Sequence, residues 1–445
     1  MNLQESSLNI GKALRHLSLH NFIGLSSIFV LGLIDMFFLA LSSEMDFAIA
    51  VFTSPFIFIL ISFFVGLSTA KMIYFSKKIN EGFQLLNAKS HYIDIFATLI
   101  FLAIIIPLYI YINKILLLFN APKDLYELSI TYIHIHYIGI IFCIWNILKS
   151  SYLRAIGNSK LASRVILISS LVNALLDPLF IFYFDMGANG AAISTMIAWV
   201  LSFIYMNHRY YYKLKNKLEI VKTNIWSFYK ITPSFVISQI LTELSIIIIM
   251  FFIGKIGIDA ISGVGFGVRL ESLILLISAA FCSAFSVFIG QNVNDKERCR
   301  SAYKIILSNS LLTVFVSSVL LYFSVDLLSI MFELNDNAAE ILSLYLLFNI
   351  VFSIFNTVYF INGAYLNVVD AHNKVLWSNI IKTFILLPLF AYFLESKFGY
   401  EGVLVSLLLL SVIANIIQLL MTRKEYKVLL EKNKQIDWQK IYKEL

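Results

Sequence analysis

Twelve runs of roughly twenty mostly apolar residues, separated by short charged stretches, leave this chain few ways to fold. Runs such as Phe22–Leu41, Phe96–Ile112 and Val403–Met421 are long enough, as helix, to cross the ~30 Å hydrocarbon core of a bilayer. Lipid offers backbone groups no hydrogen-bond partner, so such runs take helical form. Of 445 residues, 59% are apolar or aromatic and 14% are charged; a soluble chain carries roughly a quarter charged residues. The expectation is an all-α membrane protein with spans near 17–41, 47–72, 92–113, 126–149, 161–184, 190–211, 231–253, 260–290, 303–325, 339–365, 375–395 and 401–421.

Basic residues alternate with acidic ones across these spans. Lys12, Arg15, Lys77, Lys78, Lys89, Arg154, Lys160, Arg209, Lys213, Arg298, Lys374 and Arg423 fall on one side; Glu44, Asp46, Asp185, Asp259, Glu333 and Glu401 fall on the other. The positive-inside bias puts both termini in the cytoplasm and the chain in the cell (inner) membrane. The net charge of +7 is explained by those loops and does not require a nucleic-acid partner. No signal-peptide cleavage pattern precedes the first span, which is therefore expected to be retained. Cys143, Cys282 and Cys299 show neither metal spacing nor a disulfide framework and read as free thiols.

The chain also repeats itself. RAIGNSK (Arg154–Lys160) precedes span five and VDAHNK (Val369–Lys374) precedes span eleven; each is followed by Pro-Leu-Phe, at Asp177 and at Leu387. This gives two six-helix halves: residues 1–207, a basic linker at 208–229, residues 230–421, and a charged tail at 422–445. Six spans per half make the repeats parallel, a plan commonly used to enclose a cavity that opens alternately to either side.

One half carries acids that the other lacks. Asp177-Pro178 in the first half answers to Leu387-Pro388 in the second, so the repeat does not need the carboxylate. An Asp at mid-span costs ~2.5–3.5 kcal/mol to insert, which points to a purpose. Asn173 shares its helical face four residues earlier, Asp35 sits in span one and Thr195 early in span six. If the helices of this half bundle, these groups converge. Two carboxylates in one low-dielectric pocket cannot both stay charged cheaply, so a proton or a hard cation such as Na⁺ neutralises them, and occupancy biases the helix arrangement.

The motifs GLIDMFFLALSS, YLRAIGNSK, Asn173-x-x-x-Asp177-Pro178 and GANGAA (Gly187–Ala192), with TPSF, GVRLES and GQNVN in the second half, resemble those of the multidrug and toxic-compound extrusion (MATE) transporters. The resemblance runs from about residue 16 to 421. It implies two pseudo-twofold-related six-helix lobes in a V, exporting amphipathic, often cationic, compounds by antiport with H⁺ or Na⁺, with no other cofactor and with the monomer sufficient. It also implies an N-lobe cation site formed by Asp35, Asn173, Asp177 and Thr195. The chain departs from the family in reading His20 where an early proline is common in span one, although Pro233 keeps the counterpart in span seven. Span ten offers asparagines (Asn349, Asn356, Asn362) where some members place an acid, so a complete second-lobe cation site is not expected.

Glu243 in span seven either faces a cavity and attracts cationic substrates or bonds a neighbouring helix; Asn146 in span four poses the same choice. Arg269 and Glu271 are two apart and face different ways. Lys71 and Lys382 read as snorkelling side chains. The tail reads as an amphipathic helix on the membrane surface. No GK[ST] phosphate loop occurs, so neither ATP drive nor enzymatic chemistry is expected. A lipid-linked saccharide flippase shares this helix plan but calls for a basic cavity, whereas the mid-membrane charges of the first half are acids.

Overall fold

A hydrocarbon slab leaves backbone groups only each other to bond, so each apolar run becomes one hydrogen-bonded helix. The computed structural model describes residues 9–118, 126–214, 225–256, 258–331 and 334–432. In chain order the helices are α1 (Ile10–Ser42), α2 (Glu44–Lys77), α3 (Phe83–Leu118), α4 (Tyr126–Ala155), α5 (Ser159–Pro178), α6 (Gly187–Leu214) and α7 (Trp226–Gly254). They continue with α8 (Ile258–Gln291), α9 (Lys296–Phe323), α10 (Val325–Met331), α11 (Asp336–Val368), α12 (His372–Ile380) and α13 (Leu387–Lys432). Among the described residues, ten segments are long and apolar enough to cross a membrane. The last of these, His372–Arg423, spans 52 residues and breaks at Gly399 (φ 58°), where only glycine is at ease, so it supplies two spans. With the 33-residue α1, the twelve expected spans are accounted for. The short α10 falls outside the reading from apolar runs, because 7 residues are too few to register as a span. The tail is helical to Lys432; its remainder lies outside the described residues.

Two units emerge from the contacts: Met1–Ile240 with Gly290–Asn292, and Leu241–Ile289 with Val293–Leu445. This grouping by contacts divides the chain within α7; of the expected 208–229 linker, residues 215–224 lie outside the described residues. Within the first unit, α7 approaches α2 closely. A Cβ on Gly66 would lie 2.6 Å from the Val236 backbone, and the Phe228 ring sits 5.7 Å from that of Tyr74. In the first unit α4 packs between α2 and α6, while α5 lies against α1 and α6. In the second, α11 packs on α13 and α9 around Ile253, Val264, Leu342, Tyr345 and Leu404. At the departure from the family, α1 runs through His20 without a break. The His20 ring donates to the His16 carbonyl (2.7 Å), and the His20 carbonyl accepts from Ser163 Oγ.

The stretch from Pro178 to Thr195 is held at several points. Pro178 brings no N–H, and the next five residues, Leu179–Tyr183, widen into a π turn, a form frequent at functional sites. The second unit widens likewise at Ile381–Leu386, just before Leu387-Pro388. After the π turn, Gly187 adopts φ 52° against the Asp46 carboxylate, which accepts the Ala188 amide at 2.7 Å and so caps α6. Gly190 lies so close to the π turn that a Cβ there would stand 2.6 Å from the Phe180 carbonyl oxygen. These contacts set the height of α6 beside α5.

Gly190→Ala must displace backbone and is expected to destabilise the protein by about 1–3 kcal/mol. Gly32→Ala, with nothing within 4 Å of the new methyl, is expected to be neutral or to stabilise by up to about 1 kcal/mol; thermal unfolding of the two variants checks both. Between α2 and α3, Glu81 accepts from Lys78 (2.6 Å) and Lys89 (2.5 Å). Partial burial pushes its carboxyl up, but the two lysines together pull it further down, to a net value below the usual 4.5. The contribution of this carboxylate is therefore present above about pH 4.5 and fades as the pH falls through the lowered value. Glu81→Gln should lower Tm slightly at pH 7 and not at pH 3, a difference seen by unfolding at the two pH values.

Candidate cation-binding site

Helical spacing puts Asn173 and Asp177 one turn apart on the buried face of α5; they are 1% and 0% exposed. The Asn173 side chain is the hub of the site. Its Nδ2 donates to Asp177 Oδ1 (2.7 Å) and to Asp35 Oδ1 on α1 (3.2 Å), and its Oδ1 accepts from Thr195 Oγ1 on α6 (3.0 Å). The orientation of the amide follows from its neighbours, since two acids need a donor and the hydroxyl needs an acceptor. The two carboxyls are themselves within hydrogen-bonding reach of each other. All four residues named from the sequence are thus brought together by three helices of one unit.

A fifth residue joins them. Ser194, wholly buried, donates its hydroxyl to Asp177 Oδ1 and lies 3.5 Å from Asn173 Nδ2. Nothing in the sequence sets this serine apart from others on an apolar helix; only the register of α6, fixed by Gly187 and Gly190, aims it at Asp177. Asp177 Oδ2 is buried, and among the described residues no donor reaches it. The cluster therefore brings together two carboxylates, an amide and two hydroxyls. Carboxylate and hydroxyl oxygens of this kind suit a shared proton or a hard monovalent cation. Where the repeat would put a second copy, the acids are gone. Leu387 is fully buried, and Thr383, four residues earlier, bonds Ser245 at 2.8 Å.

Other sequence candidates go elsewhere. Asn146 donates to Ser202 Oγ (2.8 Å) and the Trp199 carbonyl (3.2 Å), tying α4 to α6 away from the acids. Glu243 is half-buried on α7 beyond the unit boundary and is not part of the cluster. Lys71 does not snorkel: it is fully buried and pairs with Asp94 of α3, an acid at matching depth. Lys382 also stays inside, 5.0 Å over the Tyr359 ring and within electrostatic reach of Glu271. Glu271 in turn accepts from Tyr345 (2.5 Å) and Asn356 (3.5 Å), while Arg269 is exposed, as their two-residue spacing requires. The three cysteines form no disulfide with one another.

Fold and site together define a multi-pass membrane protein of duplicated helical halves, with a pair of mid-span acids joined through one amide in the first half. The MatE family profile matches residues 22–179 and 234–393, and the chain belongs to this family, the MATE transporters. Among individual proteins it is 25% identical over 360 residues to the FAD transporter of Shewanella oneidensis, covering 77% of this chain and 78% of that one. It is 24% identical over 417 residues to the multidrug export protein MepA of Staphylococcus aureus, covering 89% and 90%. A mutant of the Vibrio cholerae MATE transporter VcmN, solved by crystallography, superposes with a TM-score of 0.87 at 21% identity, over 94% of this chain and 97% of that one. That likeness shows the shared fold.

Replacing the hub should be worse than replacing an acid. Asn173→Ala leaves one buried and one half-buried carboxylate without their common donor and is expected to cost about 2–5 kcal/mol. Asp35→Asn placed in that background should recover part of the loss by removing one charge. Thermal unfolding of the single and double variants checks the order.

Proposed function

We propose that the chain is a secondary active exporter, carrying amphipathic and often cationic compounds out of the cell in exchange for inward H⁺ or Na⁺ bound by Asp35, Asn173, Asp177 and Thr195, with Ser194 as an added ligand. The observation that supports this reading is the buried Asp177 Oδ2, undonated among the described residues, in a cluster where a second carboxyl lies in reach. A cation arriving there makes both acids tolerable, and its departure makes the same packing costly. Occupancy then selects between helix arrangements, and substrate and cation must weaken each other's binding by one common factor. In this reading the monomer suffices, both termini face the cytoplasm, and the protein works in the cell membrane as a transporter with no enzymatic step. Its relatives' names divide over cargo, one being a FAD transporter and another a multidrug exporter. Ethidium and FAD are therefore both suitable trial substrates.

Uptake into inverted vesicles, wild type beside Asp177→Asn, with proton and sodium gradients imposed separately, tests the proposal. Gradient-driven uptake by the wild type is expected to fall at least about tenfold in Asp177→Asn, and the effective gradient names the ion. Undiminished transport by the variant would return Asp177 to a structural part. No transport of either cargo would turn attention to lipid-linked substrates.

A further inference from the structure

The carboxylate cluster draws its groups from α1, α5 and α6, and α1 and α6 each lie on α5. A further side chain ties α1 to α6, at the end of the unit opposite the Lys78–Gly82 turn. Asp46, in the first turn of α2, divides its carboxylate between the two helices. Oδ1 accepts the Ala188 amide at the start of α6 (2.7 Å), while Oδ2 accepts the hydroxyls of Ser42 (2.8 Å) and Ser43 (2.7 Å) at the end of α1. Ser43 alone separates α1 from α2; its amide bonds the Leu39 carbonyl (3.2 Å), and its Oγ accepts the Asp46 amide (3.0 Å). This turn is closed from both sides, which leaves the acid little freedom relative to α1.

Spacing along the helices gives this junction its reach. Asp35 lies seven residues before Ser42, and Ser194 and Thr195 lie six and seven after Ala188. Each interval is about two turns, or ~10 Å of helix. One side chain therefore sets the depth of an acid and of both hydroxyls at once. Gly187 belongs to the same fit: at φ 52° it faces the carboxylate, and a Cβ there would collide with Asp46. Between the junction and the acids, Phe38 of α1 packs edge-on against Phe182 of the π turn (6.1 Å). Helix starts are ordinarily capped by a side chain of their own segment. A carboxylate that comes from α2 instead has a second oxygen left for α1.

We propose that Asp46 is a positioning residue for the carboxylate cluster, holding α1 and α6 at the matched heights where Asp35, Ser194 and Thr195 meet Asn173 and Asp177. It touches neither ion nor cargo and acts through the two helices. Its effect on ion binding rests on the reading of that cluster as a cation site. The arrangement that brings the acids together is the one a cation stabilises, so a weakened junction lowers the population competent to bind and with it the apparent affinity.

Ethidium and FAD uptake into inverted vesicles at graded H⁺ or Na⁺ concentrations, with hydrogen exchange by mass spectrometry on the full-length protein in nanodiscs, tests the role. Asp46→Ala is expected to raise the half-saturating concentration of the coupling ion about tenfold, the weight of one charge-assisted hydrogen bond, and by more than it lowers the maximal rate. A mere loss of folded protein would lower the maximal rate and leave the half-saturating concentration in place. Ser42→Ala cuts only the α1 side and leaves Ala188 capped; it should shift that concentration the same way by about threefold. Asp46→Asn keeps an acceptor for Ala188 and should fall between wild type and Asp46→Ala. An unchanged half-saturating concentration in Asp46→Ala, or in Ser42→Ala should Asp46→Ala not fold, overturns the role. Absence of ion-driven uptake by the wild type would overturn the cation reading instead, and hydrogen exchange then decides for Asp46. Faster exchange in the folded variant at both 35–43 and 188–195 upholds the junction. No change, or a change confined to 188–195 as loss of a cap alone would give, overturns it.

Discussion

The amide of Asn173 lets two acids lie side by side in the hydrocarbon. Without water, a buried carboxylate has only its helical neighbours to solvate it. Here one Nδ2 reaches acids on two different helices while the other end of the same side chain collects a hydroxyl from a third. The packing of α1, α5 and α6 can thus be read as the frame this junction requires: Gly190 brings α6 against the π turn and Asp46 anchors its first residues, so that Ser194 and Thr195 arrive at the right depth.

The two halves of the repeat solve the same scaffold with opposite electrostatics. At its carboxylate cluster the first has two acids, two hydroxyls and an amide, and the described bonds to them come from Asn173, Ser194 and Thr195, not from a basic side chain. In the second, the counterpart of Asp177 is Leu387, and the buried acid is Glu271, with Lys382 in reach and Tyr345 and Asn356 as donors. An acid with a lysine of its own has less need of an imported cation. That difference is a physical reason to look for coupling in the first unit alone. It also explains how a duplicated fold keeps its helices while its chemistry diverges: interhelix bonds such as Ser278 to Thr357 and Ser318 to Ser353 hold the second unit without charge.

Legibility followed sequence distance. The spans could be read because apolar runs of that length have one outcome in lipid. Asn173 and Asp177 could be paired because four residues is one helical turn, and Asp35 and Thr195 could be added because acids and motifs stand out in apolar runs. What could not be read depended on contacts between helices. Lys71 looked like a residue that would snorkel, yet its partner Asp94 is 23 residues away on another helix, and depth alone brings them together. Ser194 was passed over since serines are scattered through the apolar helices and only its rotation about the axis of α6 aims it. The close approach of α2 to α7 was hidden for a similar reason, because Gly66 reveals its part only once Val236 lies against it.

The energetic case for cation coupling can be put in numbers. Two unit charges 4 Å apart at an effective dielectric of 20 repel by about 4 kcal/mol, equivalent to roughly a thousandfold in an equilibrium constant. A site that holds Asp35 and Asp177 on one amide nitrogen would, under the proposed coupling, store energy of that order when the neutralising proton or Na⁺ left, unless α1 moved away from α5 or water entered. Moving a two-state equilibrium from mostly one form to mostly the other takes about 5.5 kcal/mol of differential binding. Repulsion alone supplies most of this, and the hydroxyls of Ser194 and Thr195, which can turn their oxygens from donors into ligands, are placed to supply the rest. The tightness of the cluster is thus what would make the proposed occupancy change strong enough to act on the helices.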